Sequence, residues 1–290
     1  MLYKATHTTK YSYNAAVSQC QSEVRLTPRT LPWQTLVELT IQTMPPAASV
    51  ESHQDYFGNE VRTFTILENH DRFSTVATSL VEVDPRESSV ASDVSWEHVR
   101  DELAAHNSFD TLEAFEFVFD SPMVTASPEL SHYASISFPP GRSLVAAIED
   151  LSHRIHTEFR YTPKATRIDT PLLDVLRLKK GVCQDFTHVM IGAVRSIGLA
   201  ARYVSGYLRS GPKVQGAEAS HAWVSVFIPG VGWMDIDPTN DIRPGTGHIT
   251  LAWGRDYGDV APVRGVALGG GKQIVDVTVR VDLADDPTSR

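Results

Sequence analysis

The sequence predicts an α+β protein in which a strand-rich, β-sandwich-like N-terminal unit precedes a core that mixes helices with strands. Three observations carry this. The first eighty or so residues alternate apolar and polar side chains between turn signals, with no helical stretch. From Asp93 the apolar period lengthens to that of a helix. After a long apolar helix ending at Gly198, strand patterns return, two of them joined by Pro229-Gly230-Val231-Gly232 as a hairpin.

LVELTIQT (36–43) and VRTFTIL (61–67) alternate, and FSTVATSLVEV (73–83) is rich in β-branched residues, so each is expected as a strand. Asp55-Tyr56-Phe57-Gly58-Asn59 is a turn signal just ahead of the second. SWEHVRDELAAH and LEAFEFVF, between Asp93 and Phe119, read as short helices. Pro139-Pro140-Gly141 marks a boundary before a helix from Ser143 to Phe159, faced by Leu144, Ala147, Ile148, Leu151 and Ile155. A short helix from Thr170 to Leu178 has Pro171 just inside its start. In GVCQDFTHVMIGAVRSIGLA, residues Val182, Phe186, Val189, Met190, Ala193, Val194 and Ile197 recur at the spacing of a buried helix. ARYVSGYL (201–208), AWVSVFI (222–228) and WMDID (233–237) follow as strands. A linker rich in Gly and Pro then leads to VDVTVRVDL (275–283), an alternating strand. The organisation expected is an N-terminal β-domain over 1–90, a helical connector over 91–142, a core over 143–245 and a C-terminal β extension over 246–290.

Composition removes several classes of function. With 42% hydrophobic and 21% charged residues in 290, the chain has ordinary material for a core. The net charge of −9 comes from scattered acids, and no Lys/Arg cluster offers a phosphate backbone a basic stripe, which argues against nucleic acid as a partner. No stretch approaches the ~20 apolar residues that span a bilayer, so no membrane association is expected. The start, MLYKATHTTKYSYNAAV, lacks the apolar region of an export signal. Two lone thiols, Cys20 and Cys183, in an unexported chain predict a reducing compartment, the cytoplasm, and no disulfide.

Cys183 stands at the first turn of the long helix, outside its apolar stripe. Unpaired N–H groups and the helix dipole there favour a thiolate. Position alone leaves a packed core cysteine as the commoner fate. His221 and Asp237 change that balance. His221 opens one strand and Asp237 closes its partner, so both lie at the open end of the hairpin. Opposed or diagonal pairs there have Cβ atoms roughly 4.5–8 Å apart. A carboxylate at that range holds one imidazole nitrogen and leaves the other facing a nucleophile. The same three residues could ligate zinc, but the dipole-facing thiol and the lack of a fourth ligand favour catalysis. His153 and His156, at i and i+3 on a helix, are expected to be solvated or capping. Gly269-Gly270-Gly271-Lys272 lacks phosphate-loop spacing and reads as a turn. Asp185 and Arg202 are expected to face each other or solvent.

G-V-C-Q-D-F (181–186), S-I-G-L-A-A-R-Y-V-S-G-Y-L (196–208), S-H-A-W-V-S-V (220–226) and G-W-M-D-I-D-P-T-N (232–240) together resemble the transglutaminase-like superfamily. The resemblance covers about 143–240; Ala200 stands where many relatives have proline. R-L-T-P-R (25–29) and D-Y-F-G-N (55–59) resemble the β-domain that precedes this core in bacterial members, and the tail resembles them in G-R-D-Y-G-D-V-A-P-V-R-G (254–265). The resemblance implies a papain-like core, with the nucleophile helix packed on an antiparallel sheet, and a catalytic triad of Cys183, His221 and Asp237. It implies acyl transfer on an amide or peptide bond through a thioester resolved by water or an amine acceptor. A polypeptide or amide is the expected substrate, without metal or other cofactor; no calcium-loop pattern is present. The alternative is a silent binding module that keeps the fold. The backbone N–H of Cys183 is the expected oxyanion donor, with Tyr161 or Gln184 as candidates for the second. Trp223 reads as sheet core that could also shield His221 from water. The loop RSGPKVQGAEAS (209–220) runs into His221 and is expected to flank the cleft.

Overall fold

A computed structural model describes residues 1–86, 93–211 and 214–284. The expected boundary at 90/91, and Pro212 and Lys213 of the expected cleft loop, lie outside the described residues.

The N-terminal unit is a curled antiparallel sheet. Its strands are β1 (Leu2–Val24), β2 (Gln34–Met44), β3 (Ser49–Gln54), β4 (Glu60–Ile66) and β5 (His70–Val83), in the spatial order β2-β5-β1-β4-β3. β1 is 23 residues long and serves two sets of neighbours. Its first half pairs with β5, from Leu2 opposite Glu82 to Ser12 opposite Arg72, and its second half pairs with β4, from Cys20 opposite Ile66 to Val24 opposite Arg62. The pairing register shifts between Ser12 and Val17, where the long strand passes from one set to the other.

Helices then cover the core. They are α1 (Trp96–Ala105), α2 (Phe109–Phe115), α3 (Pro128–Ser135) and α4 (Leu144–Glu158), each opened by a serine cap: Ser95, Ser108, Ser127 and Ser143. A two-residue strand, β6 (Arg160–Tyr161), pairs in parallel with β7 (Lys180–Gly181) on either side of α5 (Leu172–Leu178). α6 (Cys183–Arg195) follows and is buried along almost its whole length. Gly198, at φ +82°, takes the left-handed conformation that lets the chain turn from this helix into strand. The second sheet comprises β8 (Ala201–Leu208), β9 (His221–Ile228), β10 (Gly232–Ile236) and β11 (His248–Gly254) in the antiparallel order β10-β9-β8-β11. α6 packs on β8 and β9. This is the helix-on-antiparallel-sheet arrangement expected of the core.

The stretch after Asp237 departs from the expected linker. It contains β11, a short helix α7 (Tyr257–Val260) and β12 (Val263–Gly269) before β13 (Gln273–Leu283). β12 and β13 both pair with β1, so the C-terminal chain returns to complete the N-terminal sheet as seven strands. The glycine-rich turn between them is pinned by the Lys272 amide donating to Asn14 Oδ1 at 2.7 Å. The main apolar core runs without a break from Tyr3, Val81 and Val83 of the first sheet through Ile148 and Val189 of the helices to Val224 of the second sheet. A small separate cluster, Val17, Cys20, Ile66 and Phe73, is formed by strands of the first sheet. No helix among the described residues is long and apolar enough to cross a membrane.

Candidate active site

Cys183 is the first residue of α6, with Val182 in extended backbone before it. The helix start is tied down by Asp185, whose Oδ2 accepts from the Val182 amide and from Thr166 Oγ1, both at 2.7 Å. Burial raises the Asp185 carboxyl, against those two hydrogen bonds. A side chain at Gly181 would collide with that carboxylate. The expected approach of Asp185 and Arg202 is therefore not found. Arg202 instead lies between the rings of Trp233 and Trp253, 4.2 and 4.0 Å from their centroids. Cys183 is 7% exposed, and its Sγ lies 3.9 Å from the carbonyl oxygen of Ser220.

His221 opens β9, and Asp237 follows the last residue of β10. Because Val224 stands opposite Ile236, Asp237 falls on the diagonal from His221. His221 Nε2 donates to Asp237 Oδ2 at 2.8 Å, with both side chains fully buried. His221 Nδ1 is also buried and has no hydrogen-bond partner among the described residues. It is the nitrogen left for Cys183, which with Asp237 favours the protonated ring. Burial opposes the imidazolium, yet the Asp237 carboxylate and the neighbouring Cys183 outweigh it and lift His221 to about 10. Burial likewise opposes the Asp237 carboxylate, and His221 and His248 hold it far below the usual range.

Asp237 is more fully held than the hairpin alone suggests. Its Oδ1 accepts from the amides of Thr239 at 2.9 Å and Asn240 at 3.3 Å. Its Oδ2 also accepts from Asn240 Nδ2 at 2.8 Å and His248 Nε2 at 3.4 Å. Asn240 reaches the cleft loop as well: its side chain accepts from the Gln215 amide at 2.9 Å and donates to the Gln215 carbonyl at 3.2 Å. Asn240 closes the 232–240 motif without a role assigned from sequence, and His248 lies in no motif. An Asp followed three residues later by Asn is a turn signal, and HITLAWG is an apolar, β-rich run between glycines. His221, Asp237 and His248 place ligand-type atoms within 4.8 Å of one another. Both imidazole Nε2 atoms already point at the same carboxylate oxygen, so the arrangement is that of a hydrogen-bonded cluster.

A cleft of about 810 Å³ opens over Cys183, between Tyr161, Lys164, Tyr203 and the loop running from Ser210 to Ser220. Tyr161 lines it, and burial, aided by Cys183, raises the phenol. Gln184 lines both this cleft and a neighbouring depression of about 540 Å³. Trp223 does not reach the cleft; it is fully buried, with its ring edge-on to His248 at 5.3 Å. Among the described residues the 209–220 loop does flank the cleft, with the Val279 amide of β13 donating to the Glu218 carbonyl at 2.9 Å. His153 is exposed and meets Asp241 at 2.7 Å, while His156 Nδ1 lies 2.9 Å from the Thr239 carbonyl, next to the Asp237 turn.

Residues 3–82 match the bacterial transglutaminase-like N-terminal region, and residues 139–238 match the transglutaminase-like superfamily. An uncharacterised protein of Mycobacterium tuberculosis is 34% identical over 293 residues, spanning 96% of this chain and 92% of its own length. The protein-glutamine gamma-glutamyltransferase of Pseudomonas aeruginosa is 31% identical over 118 residues, covering 36% of this chain and 16% of that protein. Among solved structures, a candidate cysteine protease from Cytophaga hutchinsonii has the same fold, with a TM-score of 0.78 over 99% of this chain and 91% of that one at 20% identity.

Proposed function

The chain belongs to the transglutaminase-like superfamily, and from that membership we propose that it is a cysteine-dependent protease, amidase or acyltransferase, hydrolysing or transamidating an amide or peptide bond of a polypeptide. The observation that carries this is the buried 2.8 Å contact between His221 Nε2 and Asp237 Oδ2, which commits one imidazole nitrogen and leaves Nδ1 for Cys183. Asp237 fixes the tautomer and stabilises the imidazolium, so His221 is set to take the thiol proton or to hold it as an ion pair with the thiolate. The Cys183 thiolate adds to the carbonyl, and negative charge develops on its oxygen. The Cys183 N–H, which has no intrahelical acceptor, faces that oxygen, and Tyr161 or Gln184 supplies the second donor. The C–N bond breaks as His221 gives its proton to the departing amine, leaving a thioester. Water or a second amine adds to the thioester, His221 takes the proton, and the thiolate leaves. The likeness to a gamma-glutamyltransferase over 36% of this chain supports a glutaminyl carboxamide as a substrate class alongside the peptide bond. Two free cysteines support a reducing compartment, the cytoplasm, as the site of action.

The test is brief iodoacetamide treatment near pH 6 of wild type and His221→Ala, read by mass spectrometry. Cys183 should label far faster than Cys20, and the substitution should abolish the difference. Glutaminyl peptides offered with and without an amine then separate transfer from hydrolysis. Labelling of Cys183 no faster than Cys20 would reject catalysis and leave a silent binding module.

A further inference from the structure

His248 is buried at 2% exposure at the start of β11, and nothing in the triad chemistry requires it. A carboxylate only accepts, so the contact of its Nε2 with Asp237 Oδ2 at 3.4 Å makes Nε2 the protonated nitrogen of a neutral ring. Burial holds that ring neutral, lowering its pKa against the pull of Asp237. The charged or titratable groups facing it are Asp237, His221 and Arg86, the last ion-paired to Asp235 at 2.6 Å. Its ring also packs perpendicular to that of Trp223, with centroids 5.3 Å apart.

β8 holds β11 on one edge, with His248 opposite Leu208, and the N-terminal unit holds it on the other. β11 is an edge strand of the second sheet, and its outer backbone groups are satisfied by side-chain amides of the first unit. Gln34 accepts from the Thr250 amide at Oε1 and donates to the Thr250 carbonyl from Nε2, both at 2.8 Å. Asn59 does the same to Trp253, accepting at 3.0 Å and donating at 2.9 Å. The Arg29 amide also donates to the Thr250 carbonyl at 3.0 Å. Each amide imitates one rung of a β-ladder, so the edge is closed without a fifth strand.

We propose that His248 is a positioning residue of this active site: its Nε2–H fixes the orientation of the Asp237 carboxylate, and the N-terminal sheet, by holding β11, fixes His248. This rests on the acyl-transfer reading above. Asp237 Oδ2 must lie in line with His221 Nε2 for the imidazolium to persist beside the thiolate. Without His248, the carboxylate is restrained on one fewer side.

The experiment compares wild type, His248→Phe and His248→Gln by the rate of Cys183 carboxamidomethylation across roughly pH 4 to 9, alongside thermal unfolding. Phe keeps the ring packing on Trp223 and removes the donor; Gln returns an N–H near the same point. We expect His248→Phe to slow labelling near pH 6 about tenfold and to move the acid limb of the profile to higher pH, with Gln restoring most of both. If Phe does not fold, His248→Asn, whose amide is too short to reach Oδ2, takes its place with the same expectation. A folded donor-free variant with a wild-type profile would overturn the proposal. So would a lowered melting temperature with an unmoved acid limb, which is the signature of packing alone. Wild-type labelling no faster than Cys20 would instead overturn the acyl-transfer reading itself.

Discussion

Burial alone would strip the charge from both His221 and Asp237; their mutual contact, with Cys183 and His248 beside it, keeps them ionised. The pH consequence follows from the two directions. His221 is raised, to about 10, so its contribution to stability is complete below its ordinary value near ~6.5 and is lost as pH rises through about 10. Asp237 is depressed, so its contribution is complete above its ordinary value near ~3.9 and is lost only on strong acidification. Replacing Asp237 by Asn removes the countercharge and leaves a buried imidazole that prefers to be neutral. The expected cost is about 3–5 kcal/mol near pH 6, the usual penalty for breaking a buried pair from one side. The difference in melting temperature between wild type and Asp237→Asn should shrink steadily towards pH 10; a constant difference would mean that the two groups are not paired as ions. Iodoacetamide labelling of wild-type Cys183 should likewise stay fast from near pH 6 to about 9, because His221 keeps its proton over that range.

At the scale of elements, the nucleophile depends on how α6 begins. Gly181 closes the parallel pair β6–β7, and its missing side chain leaves the space in which the Asp185 carboxylate caps the helix start. Gly181→Ala should push that carboxylate away, at a cost near that of a lost cap, about 1–2 kcal/mol. It should also slow Cys183 labelling, measurable in the same alkylation experiment; a variant with both properties intact would show that Asp185 is dispensable for the helix start. These elements were legible because each has a local signature. The helix stripe, Gly198 and the 229–232 turn place α6, β8, β9 and β10 within a residue or two of expectation. β11 and β12 were not legible. They are seven-residue strands bracketed by Gly and Pro, and what makes them strands is pairing with β8 and β1, far away in sequence. Missing β11 meant missing His248, since its relation to Asp237 exists only once β11 is laid beside β8. Arg202 escaped for a similar reason: both tryptophans that enclose it come from strands elsewhere in the chain.

For the whole molecule, the question is why a catalytic core should carry a seven-stranded sheet assembled from both ends of the chain. The motif segments of the N-terminal unit give a physical answer. Arg25 pairs with Asp55 at 3.2 Å, and Arg29 donates to Asn59 Oδ1 at 2.6 Å, so 25–29 and 55–59 brace each other while Asn59 and Gln34 close the edge of β11. Within the cleft loop, β13 holds Glu218. The first sheet therefore grips the second at the strand carrying His248 and at the loop leading to His221. Gln34→Leu tests this grip without touching the active site. Leucine keeps the volume but leaves the Thr250 amide buried and unpaired, at a cost of about 1–3 kcal/mol. That corresponds to a fall in melting temperature of several degrees for a chain of this size. If the first sheet acts as a brace, Cys183 labelling should slow as well, because β11 relaxes away from Asp237. A lower melting temperature with wild-type labelling of the folded protein would confine the N-terminal sheet to stability.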